Sequence, residues 1–378
     1  MFIDEKLASI ATGRSESFFA EDFSRLSDEI RRQYAGKSVL VIGGAGTIGA
    51  SCVREILEFR PERLDVVDIN ENGLSNLTRA IRSDPKLTSV AKMNFNALDC
   101  GSWAMKALIR EFGPWDMVLN FSAVKHVRSE KNFATILHML DVNVIKQVRT
   151  YEMLLEAGSA DNYFVVSTDK PADPSNLVGA RKRLLEWFVF RRFLQRLQRG
   201  VPLGCPDATQ RYFISPREAA HICLIGQVAG LARTMIVPRM EPKEHLVELK
   251  DVARRFLDYH GLVPVFVEDE AEAYHLLKTD RSSRYPVILT PRNTAGEKQY
   301  ERFVGDQEKA LEIGLASLLA VEAEIPTPEL TDAGIEKLDA IVSGQDKSAS
   351  ISDVHDFVTT HVPTFDHIPG TNRLDDRI

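Results

Sequence analysis

Cysteine is scarce in this chain, and the four present, Cys52, Cys100, Cys205 and Cys223, show no paired spacing. A disulfide framework, a zinc site and a Cys-x-x-Cys redox motif are therefore excluded, and a reducing compartment is expected. An excess of basic residues is also missing: 47 Lys and Arg stand against 54 Asp and Glu, a formal net charge of −7. Nucleic-acid binders usually present a basic face, so that class is set aside, although a local basic pocket for a diphosphate is still allowed. No apolar run approaches the roughly 18 residues a membrane span needs, and no secretory leader is visible. Repeats and low-complexity tracts are absent as well. The expectation is a cytoplasmic protein with no membrane span, no nucleic-acid partner and no metal.

What is present is ordinary globular material, 44% hydrophobic and 27% charged over 378 residues, enough for one large or two modest domains. Residues 1–36 look helical, with Phe18, Phe19, Phe23 and Leu26 on an apolar stripe, and predict an arm packed on the body or on a neighbouring subunit. From Lys37 the pattern changes. Ser38-Val39-Leu40-Val41-Ile42, Leu64-Asp65-Val66-Val67-Asp68, Asp116-Met117-Val118-Leu119-Asn120 and Tyr163-Phe164-Val165-Val166-Ser167 read as buried parallel strands, with helices between them, notably over 133–157. Strands alternating with helices predict an α/β fold of the Rossmann type, a doubly wound parallel sheet spanning 37–200. Beyond residue 200 prolines become frequent, and 201–378 is expected to hold a smaller α/β substrate domain and a C-terminal extension. Residues 343–352, rich in Ser, Gly, Asp and Lys, read as a flexible link before the tail.

Between the first strand and its helix lies Gly43-Gly44-Ala45-Gly46-Thr47-Ile48-Gly49. Glycine permits the tight turn and the close approach of backbone to a pyrophosphate. The N–H groups at the helix start, at Thr47, Ile48 and Gly49, supply partial positive charge. Asp68 ends the second strand 19 positions after Gly49. A carboxylate there accepts from both ribose hydroxyls of NAD and repels the extra phosphate of NADP, so NAD is the expected cofactor. Asp99 is a candidate for the adenine end, or an ordinary loop aspartate.

Further motifs resemble a known group. Asn120-Phe121-Ser122-Ala123-Val124-Lys125-His126-Val127, Ser167-Thr168-Asp169-Lys170 and Asn176-Leu177-Val178-Gly179-Ala180-Arg181-Lys182-Arg183 resemble the UDP-N-acetylglucosamine 4,6-dehydratases, in the polysaccharide-biosynthesis branch of the extended short-chain dehydrogenases. Thr12-Gly13-Arg14, Arg211-Tyr212-Phe213-Ile214-Ser215-Pro216 and Thr294-Ala295-Gly296-Glu297-Lys298 are similar to the same group. The resemblance implies bound NAD, a UDP-sugar substrate and self-association as a homo-oligomer. It implies that Ser122 and Ala123 line the cofactor, that Lys182 binds the nicotinamide ribose, and that Lys125, His126, Asn176 and Arg211 meet the substrate. Arg211 would hold the UDP phosphates, a task suited to a planar guanidinium. Glu297 and Lys298 would lie near the uridine.

The implied chemistry is consistent with these residue types. Oxidation at C4 acidifies the C5 proton; a base removes it while an acid protonates the departing C6 oxygen, and hydride returns to C6. Asp169 is the implied acid and Lys170 the implied base, each needing a pKa shifted by its surroundings. Val178 stands where ordinary relatives carry tyrosine, which leaves Thr168, Asp169 or Lys170 as candidates for the C4 base. A second departure follows Lys182. The group has a further strand and a sugar-binding loop there, whereas Trp187–Arg192 runs directly into Phe193–Leu197. The literal reading is a continuous helix over 183–199. The favoured alternative is a missing segment, because losing a core strand would cost several kcal/mol of apolar burial. A nucleotide-sugar 4-epimerase or reductase, and an NAD-binding homologue without catalysis, are the competing functions.

Overall fold

The computed structural model describes residues 5–87, 92–124, 133–166, 193, 196–231, 234–279, 283–291, 302–305, 308–322 and 328–361, with the side chains of 5–7, 328–332, 355, 358 and 361 left aside. Its first sheet holds β1 (Ser38–Ile42), β2 (Arg63–Asp68), β3 (Lys92–Ala97), β4 (Met117–Asn120) and β5 (Tyr163–Val165). All are parallel, in the order β3-β2-β1-β4-β5. The expected doubly wound sheet is therefore present. The central strands are buried on both faces, which is why their sequences run apolar without alternation. Asp65, buried in β2, is the exception. It accepts from Asn94 Nδ2 at 2.6 Å and Trp115 Nε1 at 2.5 Å and pairs with Arg63 Nε at 3.0 Å, the partners a buried charge requires.

Helices cover both faces. On one lie α4 (Thr47–Glu58) and α5 (Glu71–Arg82), which pack Val53, Ile56, Leu74 and Leu77 against Val39, Val41 and Val66. On the other, α6 (Trp103–Phe112) packs Met105, Leu108 and Ile109 against Leu40, Ile42 and Val67. There α7 (Phe133–Leu140), a single π-turn (Asp141–Ile145) and α8 (Lys146–Glu156) run on as one helix. π-Turns of this kind recur at functional sites.

The expected N-terminal arm is helical: α1 (Glu5–Thr12), α2 (Ala20–Arg25) and α3 (Ser27–Tyr34). Its predicted stripe packs on the body of the same chain, with Phe18, Phe19, Phe23 and Leu26 among Tyr212, Ile225 and Leu318. Beyond residue 200 come β6 (Leu203–Pro206), β7 (Gln210–Tyr212), α9 (Pro216–Ala229), β8 (Thr234–Pro238), α10 (Pro242–His245), β9 (Leu246–Glu248) and α11 (Leu249–Tyr259). They are followed by β10 (Val263–Val267), α12 (Glu270–Thr279), β11 (Arg284–Thr290), β12 (Ala310–Leu311), β13 (Leu318–Glu322), α13 (Pro328–Val342) and α14 (Ile351–His361). The strands β10-β11-β6 form a parallel sheet, β12-β13-β8 an antiparallel one, and β7 pairs with β9. Helix α9 returns to the first sheet, where Ala220, Cys223 and Leu224 join the core beside α4. Residues 343–350 turn the chain from α13 to α14, whose start Ser350 caps through Asp353.

Asp22 fastens the arm. Its buried carboxylate accepts from Ser317 N (2.7 Å), Ser317 Oγ (2.6 Å) and Ala316 N (3.2 Å). Burial alone would raise its pKa; the Ser317 and Ala316 hydrogen bonds and Arg25 outweigh it and hold the carboxyl below its ordinary value. A depressed folded-state pKa gives stability that is present above the unfolded value of about 3.9 and lost as pH falls through the folded one. Melting temperature should therefore drop more steeply below about pH 4 in the native chain than in Asp22→Asn, and parallel slopes would remove Asp22 from the acid response.

Candidate nucleotide site

The strand order reverses between β1 and β4, and ligands of open α/β sheets bind at the carboxyl ends of strands at such a switch point. The Gly-rich turn lies there. Gly43 has φ +74°, and an added Cβ would come within 2.7 Å of Phe121 C and Ser122 N. A Cβ on Gly44 would sit 2.3 Å from Val66 Cγ1, and one on Gly49 2.3 Å from the Gly43 carbonyl. Gly46 caps α4 without a side chain, and the first turn of the helix carries no carboxylate. Helix-start N–H groups, a positive dipole end and a first turn without a carboxylate fit a pyrophosphate.

Of the predicted cofactor residues, the described ones beyond the turn lie at the carboxyl ends of β2, β3 and β4. Asp68 ends β2, with Oδ2 accepting from Ala45 N at 2.9 Å and Oδ1 from Asn70 N at 2.8 Å, so the carboxylate is held against the Gly turn. Asp99 follows β3, its Oδ1 accepting from Gly101 N at 3.2 Å and its Oδ2 from Lys146 Nζ at 2.6 Å. Ser122 and Ala123 follow β4, where Ser122 Oγ donates to Asn120 Oδ1 at 2.6 Å. These residues fit NAD; the Asp68 carboxylate would repel a ribose 2′-phosphate.

The helix expected over 133–157 is present, but sequence reasoning missed that its polar face holds these loops. Asn143 Nδ2 donates to the Val124 carbonyl at 3.0 Å, and its Oδ1 accepts from Val124 N at 2.8 Å. Gln147 Nε2 donates to the Ser122 carbonyl at 2.5 Å and to Ser122 Oγ at 2.9 Å, while Gln147 Oε1 accepts from Asn120 Nδ2 at 2.6 Å. Thr150 Oγ1 donates to the Cys100 carbonyl at 3.0 Å. With Lys146, these residues form an i, i+3, i+4, i+7 polar stripe on one helix face. That stripe is a readable signal in a stretch otherwise supplying core residues such as Ile145 and Leu154.

Tyr163 does not replace the tyrosine absent at Val178. Its hydroxyl bonds to Asn120 Nδ2 at 2.7 Å, and burial pushes its pKa up to about 12. Arg211 lies on β7, opposite Val247 of β9, in a sheet separate from the first. It is buried, and its Nη1 donates to the Gln210 carbonyl at 2.7 Å. Thr168, Asp169, Lys170, Asn176, Val178, Lys182, Lys125, His126, Glu297 and Lys298 lie outside the described residues, as does most of 183–199. Among the described residues no cluster of His, Cys, Asp and Glu could hold a metal ion.

The sheet order and the turn together define a Rossmann-type α/β fold with a glycine-rich turn at its switch point. The structure of Pen from Bacillus thuringiensis shares the fold, with a TM-score of 0.57 at 16% identity over 78% of this chain and 90% of that one. A sequence profile described as polysaccharide biosynthesis protein matches residues 39–192. An uncharacterized membrane protein of Methanocaldococcus jannaschii is 30% identical over 312 residues, covering 74% of this chain and 84% of the relative. The capsular polysaccharide biosynthesis protein CapD of Staphylococcus aureus is 26% identical over 265 residues, 61% of this chain, and the match spans 42% of CapD. The chain belongs to the polysaccharide biosynthesis protein family. Among the described residues, no helix is long and apolar enough to cross a membrane.

Proposed function

We propose that the chain is an NAD-dependent UDP-N-acetylglucosamine 4,6-dehydratase, acting in the cytoplasm on the way to a surface polysaccharide or nonulosonic acid. The observation that carries the reading is the glycine cradle at the switch point with Asp68 fixed against it. Strand β5 ends beside Asn120, and Asp169 and Lys170 follow it within five residues of Val165. The pair supplies elimination chemistry rather than simple reduction.

Gly43 to Gly49, Asp68, Asp99, Ser122 and Lys182 would hold NAD, which would supply a reversible hydride acceptor for C4 and donor for C6. The chain's residues manage the protons. One of Thr168, Asp169 or Lys170 takes the C4 hydroxyl proton. Lys170, neutral, removes the C5 proton activated by the C4 ketone. Asp169, protonated, gives its proton to the C6 oxygen, which leaves as water. Arg211 holds the UDP diphosphate, with Lys125, His126 and Asn176 against the sugar. As hydride returns to C6, Lys170 or solvent protonates C5, and the proton taken from the C4 hydroxyl replaces the one Asp169 gave up, so the net change is loss of one water with no net redox change.

The test is incubation with UDP-N-acetylglucosamine in heavy water, read by mass spectrometry and NMR. Loss of one water with deuterium at C5 is expected. Asp169→Asn and Lys170→Met should each lower turnover by roughly 10²–10⁴-fold. A C4 epimer without water loss would replace the reading with an epimerase, and an unchanged sugar with NAD still bound would favour a non-catalytic homologue.

A further inference from the structure

We infer that Lys146 is a positioning residue that holds the adenosine end of the crevice in its binding shape by fixing Asp99. The inference rests on the nicotinamide-cofactor reading above. Lys146 belongs to none of the motifs that the proposed chemistry uses. Its ammonium bridges two carboxylates from different elements, Asp99 Oδ2 at 2.6 Å and Asp141 Oδ2 at 3.2 Å. Asp99 comes from the loop after β3, and Asp141 from the π-turn. Burial would lower the Lys146 pKa, but the hydrogen bonds to the two carboxylates outweigh it and hold the ammonium charged.

The side-chain stem is used as well. An added Cβ on Gly101 would lie 2.4 Å from Lys146 Cγ and 2.8 Å from its Cβ, so the loop rests directly on the lysine chain. One turn along, Thr150 Oγ1 holds the Cys100 carbonyl. The segment from Asp99 to Gly101 is thus laid along the helix, with the Asp99 carboxylate one-third exposed.

The chemistry of that carboxylate explains why position matters. To accept from an adenine amino group it must be ionised and must not swing away. Gly101 N and Lys146 Nζ each take one of its oxygens, which fixes its plane and leaves further lone pairs for a ligand. Without the ammonium, Asp99 and Asp141 would face each other as two anions across the space it filled. Each would favour turning towards water, and the loop would lose its anchor. Lys146 therefore acts through Asp99 and touches no reacting atom.

The experiment measures binding of NAD and of ADP-ribose, which lacks the nicotinamide, to the purified full chain by calorimetry. The variants are Lys146→Met, which keeps the stem, Lys146→Arg, which keeps the charge, Asp99→Asn, and Asp99→Asn with Lys146→Met. Lys146→Met should weaken both ligands by roughly tenfold to a hundredfold, the range set by one hydrogen bond to a charged group. Lys146→Arg should recover part of the loss, and the double variant should bind no worse than Asp99→Asn alone. If the native chain binds neither ligand, the cofactor reading fails. If the native chain binds and Lys146→Met binds within twofold of it, the positioning role fails while the cofactor reading stands. A lower melting temperature in Lys146→Met with unchanged ADP-ribose affinity would likewise overturn it, because a merely structural role predicts that pattern.

Discussion

Gly49→Ala should weaken dinucleotide binding by up to roughly a hundredfold while leaving the first sheet folded. The added methyl would lie 2.3 Å from the Gly43 carbonyl oxygen, 2.9 Å from Gly44 Cα and 3.0 Å from Gly43 C. All three are backbone atoms, so no rotamer relieves the clash. Gly43 has nowhere to retreat. It sits at φ +74° against Phe121 and Ser122, and its carbonyl accepts from Gly46 N at 3.2 Å. The turn must open or α4 must shift, and either moves the N–H groups offered to the pyrophosphate. Overpacking of this kind costs about 1–3 kcal/mol; at the upper end, NAD affinity falls by roughly a hundredfold. Gly204→Ala is the control, since a Cβ there meets nothing within 4 Å and should change neither binding nor fold. Calorimetry with NAD, with circular dichroism on each variant, decides the matter. Affinity within threefold of the native chain would mean that the cradle is not the binding surface.

The parts of the site legible in the sequence are those written locally. Ser38–Ile42 announces a buried strand, and Gly43 to Gly49 announces the turn because each constraint involves neighbours a few positions away. Asp68 is found by its offset from that turn. The arm stripe of Phe18, Phe19, Phe23 and Leu26 is legible for the same reason, although its partners are not: Phe19 packs with Tyr212 and Leu318. What escapes is written across the chain. Asn143 and Gln147 serve Val124 and Ser122, 19 and 25 positions away, and Lys146 serves Asp99 47 positions away. Their polarity is visible in the sequence, but their targets are set by the way α8 lies over the strand exits. The Ser215–Glu218 spacing likewise announces a capping box, yet nothing local shows that its glutamate is shared with Arg14, 204 positions upstream.

That sharing makes Glu218→Ala the substitution with the largest expected effect on stability. Glu218 is almost fully buried and completes the capping box of α9 by accepting from Ser215 N at 2.7 Å. It also accepts from Phe18 N at 2.9 Å and, through both oxygens, from Arg14 Nε and Nη2 at 2.9 Å. Arg14 Nη2 in turn donates to the Phe213 carbonyl at 2.6 Å, two residues after Arg211. One carboxylate therefore joins the arm, the exit of β7 and the start of the helix that covers the first sheet. Its removal strands a guanidinium, an arm N–H and the Ser215 N–H together, although Ser215 Oγ still caps the helix. Breaking a buried ion pair from one side costs about 3–5 kcal/mol. Because Arg14 keeps some access to water, the lower figure, about 3 kcal/mol, is expected, or roughly 4 °C in melting temperature. Glu218→Gln keeps one acceptor oxygen but turns an amide NH2 toward the donors of the other and loses the charge, so it should recover only part of the loss. Arg14→Ala combined with Glu218→Ala should fall short of the sum of the two, because the second change removes a charge already without its partner. Thermal melts of the four variants measure the coupling directly. Strict additivity would mean that Arg14 and Glu218 stabilise the arm and helix α9 separately, and that the shared carboxylate is not what joins them.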